Sequence, residues 1–322
     1  MATVAQAAAL KARHDSERSV GVAFAIMLAF LVAGPFLLYP VFLMKALCFA
    51  LFACAFNLLI GYVGLVSFGH ALYFGWASYL TAYAAKSWGM QPEIAILIGT
   101  ATAAALGIVA GIVAIRRQGI YFAMITLALA QMMYLVALRL PLTGGEDGIQ
   151  AVPRGRLFGL FDLNHEMTMY IFVLVVVLAA FLLIYRIINS PFGEVLKAIR
   201  ENEPRTISLG YQTDRYKVVA FVLSATLAGL AGSVKALVFQ LASLTDVHWT
   251  MSGEVLLMTL VGGLGTIFGP VVGAFLIVAM ENYLASFGQW VLIIQGAIFV
   301  VCVLVFRRGI VGELAHRLHV RL

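Results

Sequence analysis

Few side chains in this chain of 322 residues are equipped for chemistry, and those few stand in apolar surroundings. Glu254 and Glu281 are the carboxylates of the apolar second half. A carboxylate inside a membrane is a functional candidate by default, here for a pathway or gating role. Near span ends, the alternative is snorkelling to the interface, which Lys45 and Lys235 fit better still. His70 stands alone in a glycine-rich segment and reads either as a hydrogen-bonded packing residue or as a ligand or relay. No Gly-x-x-x-x-Gly-Lys-Ser/Thr loop is present to cradle nucleotide phosphates. No His-Glu-x-x-His and no Cys/His cluster has metal-ligand spacing, so no cofactor or metal is expected. Cys48, Cys54 and Cys302 lie inside apolar runs, where thiols are inert packing rather than disulfide partners. In Thr143-Gly144-Gly145-Glu146-Asp147-Gly148 the two carboxylates are too few for a calcium cage, and the glycines favour a turn or docking contact.

Glycine patterning is the stronger signal. Gly64-Leu65-Val66-Ser67-Phe68-Gly69, with Gly75 beyond, matches Gly263-Leu264-Gly265-Thr266-Ile267-Phe268-Gly269, with Gly273 beyond, once one residue is inserted. Glycine-interrupted apolar segments at matching places in two halves point to a midplane pathway in transporters. On that reading the pathway candidates are Gly64, Ser67, Phe68, Gly69, His70, Glu254, Gly263, Gly265 and Thr266. The competing reading is helix packing: Gly265, Gly269 and Gly273 make consecutive small-xxx-small steps, as do Gly107 and Gly111.

The polar stretch 190–217 predicts a surface helix of three to four turns over 191–203. Ser190 suits the N-cap and Pro191 the first helical position. Glu194 complements the positive end of the helix dipole, and Lys197 and Arg200 its negative end. Phe192, Val195, Leu196 and Ile199 share one face, which either lies on the membrane surface or docks into a partner groove. Pro204 ends this helix or starts another turn.

The elements that must position these residues follow from composition. The chain is 63% hydrophobic and 11% charged, against roughly 25% charged in a soluble domain. Apolar runs fall at 20–39, 41–60, 65–86, 93–115, 119–138, 168–187, 218–240, 252–262, 269–287 and 289–306. Backbone polar groups cannot go unpaired in lipid, so these runs are expected to be helices. The expected fold is an all-α polytopic membrane protein of about nine transmembrane helices, with weak similarity between its halves. The run at 252–262 is too short to cross alone, and 252–287 reads as a broken or re-entrant element.

If the N-terminus lies inside, fifteen of the 21 Lys and Arg residues fall on that side and six on or near the other, which makes the first side cytoplasmic. This predicts a cytoplasmic segment 1–19, a membrane domain 20–306 and a cytoplasmic tail 307–322. Within the domain, 139–167 would be a periplasmic loop and 188–217 a cytoplasmic one. Residues 1–19 are polar and mixed in charge, unlike a cleavable signal. The net charge of +6 is dispersed between apolar runs, which fits membrane lipid as the surrounding partner and not nucleic acid.

Five segments in order carry a resemblance: GYVGLVSFGHALYFG at 61–75, GIYFAMITLA at 119–128, TGGEDG at 143–148, the stretch 190–203 and VGGLGTIFGP at 261–270. Over roughly 40–310 the chain resembles the permease subunits of branched-chain amino acid ABC importers, LivM type. The resemblance implies a bacterial inner-membrane permease paired with a second one (LivH type), driven by two cytoplasmic ATPases and fed by a periplasmic binding protein. It also implies that a cytoplasmic loop helix sits in a groove of the ATPase, marked in such importers by a Glu-Ala-Ala…Gly motif. Glu203 and Gly210 match its ends, but Pro204 and Arg205 stand where the alanines would. The coupling candidates are Leu196, Ile199, Arg200, Glu201, Asn202, Glu203 and Gly210. Import of urea or short amides is a sister reading. An ion-coupled secondary transporter is the alternative class, and it would need a mid-span polar cluster that is thin here.

Overall fold

The computed structural model describes residues 21–284, 288, 290–306 and 309–317. The expected N-terminal segment 1–19 and parts of the expected C-terminal tail lie outside the described residues. The chain is an all-α polytopic membrane protein. Its helices are α1 (Gly21–Leu37), α2 (Pro40–Ile60), α3 (His70–Lys86), α4 (Pro92–Ala114), α5 (Ile120–Arg139), α6 (Glu166–Ile188), α7 (Pro191–Ser208), α8 (Thr213–Phe239), α9 (Trp249–Gly262), α10 (Gly269–Leu284), α11 (Trp290–Val305) and α12 (Gly309–Arg317). Five of them, α2, α4, α5, α6 and α8, are long and apolar enough to cross a membrane.

Helix α2 is apolar on every side and almost wholly buried, as an interior helix must be. Helices α6, α8, α9 and α10 surround it. On the far side of α8, α3 and α4 close a second layer through small residues. A methyl group on Gly107 would lie 2.7 Å from Ala225 Cβ, and one on Gly232 would lie 2.7 Å from the Phe74 carbonyl carbon. With no hydrophobic force between helices in lipid, such close backbone approach supplies the van der Waals attraction.

The short run at 252–262 begins earlier than its hydropathy suggested, at Trp249, and forms one arm of a helical hairpin with α10. A methyl group on Gly273 would lie 2.9 Å from Gly262 N, so Gly273 is a packing residue between these arms. Helix α9 spans about 21 Å at 1.5 Å per residue.

Segment 140–165 is pinned rather than loose. Two short antiparallel pairs form: β1 (Ile149–Gln150) with β4 (Leu241–Ala242), and β2 (Arg156–Leu157) with β3 (Phe161–Asp162). Arg154 donates to the Leu237 and Val238 carbonyls (3.3 and 2.7 Å), where a cation meets the negative end of α8. Gly144, Gly145 and Gly148 all take positive φ, so the TGGEDG stretch is a turn, leading into β1. At β3, the backbone N–H of Asn164 holds the Asp162 carboxyl below its usual range.

Candidate functional site

The two glycine-rich segments, 61–75 and 261–270, lie far apart in sequence but meet in space: a methyl group on Gly61 would lie 2.8 Å from Gly265 N. Helix α2 ends at Ile60, and Gly64 (φ 83°) turns the chain away while its N–H donates to the Leu59 carbonyl at 3.0 Å. The hairpin between α9 and α10 turns on Gly263 (φ 127°) and Gly265 (φ 74°). Thr266 Oγ1 accepts from Gly269 N–H (3.1 Å) and donates to the Gly263 carbonyl (2.8 Å), which caps α10. Asn57 of α2 binds the segments together: its Nδ2 donates to the Thr266 carbonyl (2.9 Å) and its Oδ1 accepts from Gly265 N–H (3.0 Å). The sequence reading missed Asn57. Its signal was there: a lone amide in an otherwise apolar stretch needs a partner.

Arg200 reaches the same junction from the loop helix. Its Nη1 donates to the Gly61 carbonyl, at the C-terminus of α2. From the other side Gly309, at the start of α12, lies against Gly263; a methyl group there would be 2.9 Å from the Gly262 carbonyl carbon. The described part of the expected tail is thus packed onto the second glycine-rich segment.

Beyond Gly64 the first segment leads to the start of α3. Phe68 N–H donates to Thr126 Oγ1 of α5 (3.2 Å), and Gly69 N–H to Ser67 Oγ (3.3 Å). His70 is fully buried, ringed edge-on by Phe56, Tyr73 and Phe221. Ser224 Oγ donates to the Ala55 carbonyl (2.5 Å), so it accepts from His70 Nε2–H (2.9 Å). This burial and hydrogen bond fit the packing reading of His70. The N-terminus of α9 meets the N-terminus of α3, Ala71 N–H donating to Ser252 Oγ at 2.8 Å.

An open cavity of about 570 Å³ lies beside these helix starts. Gly64, Val66 and Phe68 line it with Gly119, Met124 and Trp249. Of the predicted pathway residues, Gly64 and Phe68 face this space. Ser67, Gly69 and His70 are buried behind it, while Gly263, Gly265 and Thr266 belong to the Arg200 junction. Glu254 lies elsewhere, half-buried on α9 within electrostatic reach of Glu281 and Lys45.

The two lysines expected to snorkel are instead paired, because a charge in a low-dielectric interior needs its counter-charge. Lys45 meets Glu281 at 3.0 Å, which gives Glu281 an ion-pair partner as well. Lys235 is buried and meets Asp246 at 2.5 Å.

Loop helix α7 begins as predicted, with Ser190 Oγ accepting from Gly193 N–H at 3.3 Å. The apolar face expected to lie on the membrane or a partner is partly used within the chain. Leu196 and Ile199 are buried against the chain itself. Glu203 is likewise engaged, with Lys217, with Thr213 Oγ1 (3.1 Å) and with Gln118 Nε2 (3.0 Å). Glu201, Asn202 and Gly210 are exposed. Ile207, Leu209 and Tyr211, which sequence reasoning passed over, supply the exposed apolar surface.

Residues 38–303 match the family described as branched-chain amino acid transport system / permease component. The chain is 27% identical over 267 residues to the high-affinity branched-chain amino acid transport system permease protein LivM of Escherichia coli (strain K12), covering 76% of this chain and 63% of that one. It is 26% identical over 265 residues to the probable branched-chain amino acid transport permease protein LivM of Methanocaldococcus jannaschii, covering 70% and 75% respectively. The probable LivH protein of the same organism is 28% identical over 165 residues, 48% of this chain and 51% of that one. The chain therefore spans less than two thirds of the length of the E. coli relative. No solved structure matches it. With a polytopic helical fold and a family match running from α2 into α11, the chain belongs to the permease components of branched-chain amino acid transport systems.

Proposed function

We propose that this chain is the membrane permease subunit of an ATP-driven importer of branched-chain or related amino acids. It works with a second permease of LivH type, two cytoplasmic ATPases and a periplasmic binding protein. The observation that carries the reading is the junction at which one surface helix, through Arg200, touches both glycine-rich segments. A permease without a nucleotide loop takes its energy from outside, and this helix is the element suited to receive it. The cavity lined by Gly64, Phe68 and Trp249 is the passage. The positive end of the α3 dipole, just behind this cavity, favours a carboxylate in transit without a direct contact.

The topology of this reading has both termini cytoplasmic, in a bacterial inner membrane. Helices α1 to α6, α8 and α11 each cross once, and short α9 enters where α10 leaves again, so the number of crossings is even and the chain returns to the cytoplasmic side. Segment 139–167 is periplasmic and 188–217 cytoplasmic. Single cysteines replacing Asp147 and Glu201 in a Cys-free background are expected to react with an impermeant maleimide from opposite faces. Reaction of both from one face sinks the topology.

The functional test is uptake of labelled leucine by proteoliposomes holding all five components. Uptake is expected with active ATPases, and none with hydrolysis-dead ATPases or with this chain alone. Uptake that survives dead ATPases but collapses with a protonophore would mean a secondary transporter. ATP-dependent uptake of urea but not leucine would keep the class and overturn the substrate.

A further inference from the structure

Loop helix α7 is two helices joined at Asn202, whose backbone is extended (φ −157°, ψ 92°). The Asn202 side chain accepts from Arg205 N–H at 3.1 Å, so it caps the second piece, and Pro204 sits where a missing N–H does no harm. That second piece is fixed to its neighbours, since Glu203 binds Lys217 and Thr213 of α8 and Gln118 of the α4–α5 connection.

The first piece, 191–201, is attached differently at its tip. Arg200 Nη1 donates to the Gly61 carbonyl, where the end of α2 is the negative pole of its dipole and holds a cation without a carboxylate. A methyl group on Gly64 would lie 3.2 Å from Arg200 Cγ, and one on Gly265 would lie 2.9 Å from Nη1. Both glycines have positive φ, which side chains tolerate poorly, so the arginine fills space that no side chain from either segment can enter.

We infer that Arg200 is a positioning residue that ties the first piece of the loop helix to both glycine-rich segments at once, with Asn202 as the joint about which that piece turns. This rests on the reading of 190–217 as the ATPase-facing loop. Hinges are commonly a few residues at element ends that absorb a backbone change, and Asn202 is placed as one. Because a guanidinium is a rigid, planar fork of donors, displacing it must either carry along Gly61, and with it the Gly265 packed against Gly61, or break a charge-assisted hydrogen bond. Asn57 then passes the movement to Thr266 and the start of α10.

Two measurements test the inference. The first is hydrogen–deuterium exchange on the chain in nanodiscs. Arg200→Ala is expected to speed exchange in 61–66 and 263–267 together, by about tenfold for the loss of one charged hydrogen bond, with mid-α8 amides unchanged. Arg200→Gln, which keeps the stem but removes the charged fork, is expected to give the same pattern, and it decides the question if Arg200→Ala does not fold. Acceleration in one segment only, or in neither, overturns the tie. The second is leucine uptake per ATP hydrolysed in the full assembly. It is expected to fall about tenfold in Arg200→Ala while hydrolysis persists, and to recover in part with Arg200→Lys, which keeps one donor but not the fork. Unchanged uptake per ATP overturns the coupling role. A wild-type assembly without ATP-dependent uptake would defeat the proposed function instead, and exchange would still decide the tie.

Discussion

Lys235→Met is expected to destabilise the folded protein by about 3–5 kcal/mol, because it strands a carboxylate in the interior. Asp246 is almost fully buried, in a 3₁₀ turn over Leu244–Asp246, and meets Lys235 of α8 at 2.5 Å. The same carboxylate accepts from Ser243 N–H at 3.3 Å, closing a capping box on that turn. The next residue toward α9, Val247, is seated on Gly75 of α3; a methyl group on that glycine would lie 2.8 Å from the Val247 backbone. Loss of the lysine thus loosens the connection that delivers the start of α9 to α3. Thermal melting of detergent-solubilised protein, followed by size-exclusion fluorescence, would register the loss as a marked drop in midpoint. A double replacement, Lys235→Met with Asp246→Leu, is expected to recover most of it, since an apolar pair of similar volume leaves no charge to desolvate. A single variant that melts like the parent would mean that water reaches this pair.

Leu196→Asp and Leu209→Asp are expected to fail for opposite reasons. Leu196 is wholly buried, so aspartate there forfeits about 1.5–3 kcal/mol of apolar burial and adds an unpaired buried carboxylate. The variant should be lost from the membrane fraction or aggregate on extraction. Leu209 is 70% exposed beside exposed Ile207 and Tyr211. It also lines a groove of about 890 Å³ with Phe192 and Tyr216, whose rings stack at 5.7 Å. Leu209→Asp should extract and melt normally, yet abolish ATP-coupled uptake if, as proposed, this exposed apolar surface meets the ATPase. Normal uptake by Leu209→Asp would move the docking face elsewhere. A stable Leu196→Asp would show that the helix leaves its seat on the membrane domain.

The sequence by itself determined the helical elements. Lipid leaves the backbone no partner but itself, so most apolar runs became helices within a few residues of their predicted bounds. The bounds slipped furthest, and equally, at the start of α8 and at the first glycine-rich segment. The run at 65–86 begins as helix only at His70, because Gly64 turns the chain with φ of 83° and the segment bonds sideways to α5. Local chemistry was equally legible at Ser190, whose cap depends on residues three apart. Likeness between the two glycine-rich segments was visible too, though not that they touch. What only the tertiary structure decided was partnership. Asn57 and Gly265 stand 208 residues apart and Lys45 and Glu281 stand 236 apart, distances at which spacing says nothing about who meets whom. The buried side of α7 was undecided for a related reason. An amphipathic pattern specifies that one face is apolar, but the burial of Leu196 and Ile199 depends on which surface lies against that face, and here the chain itself supplies it.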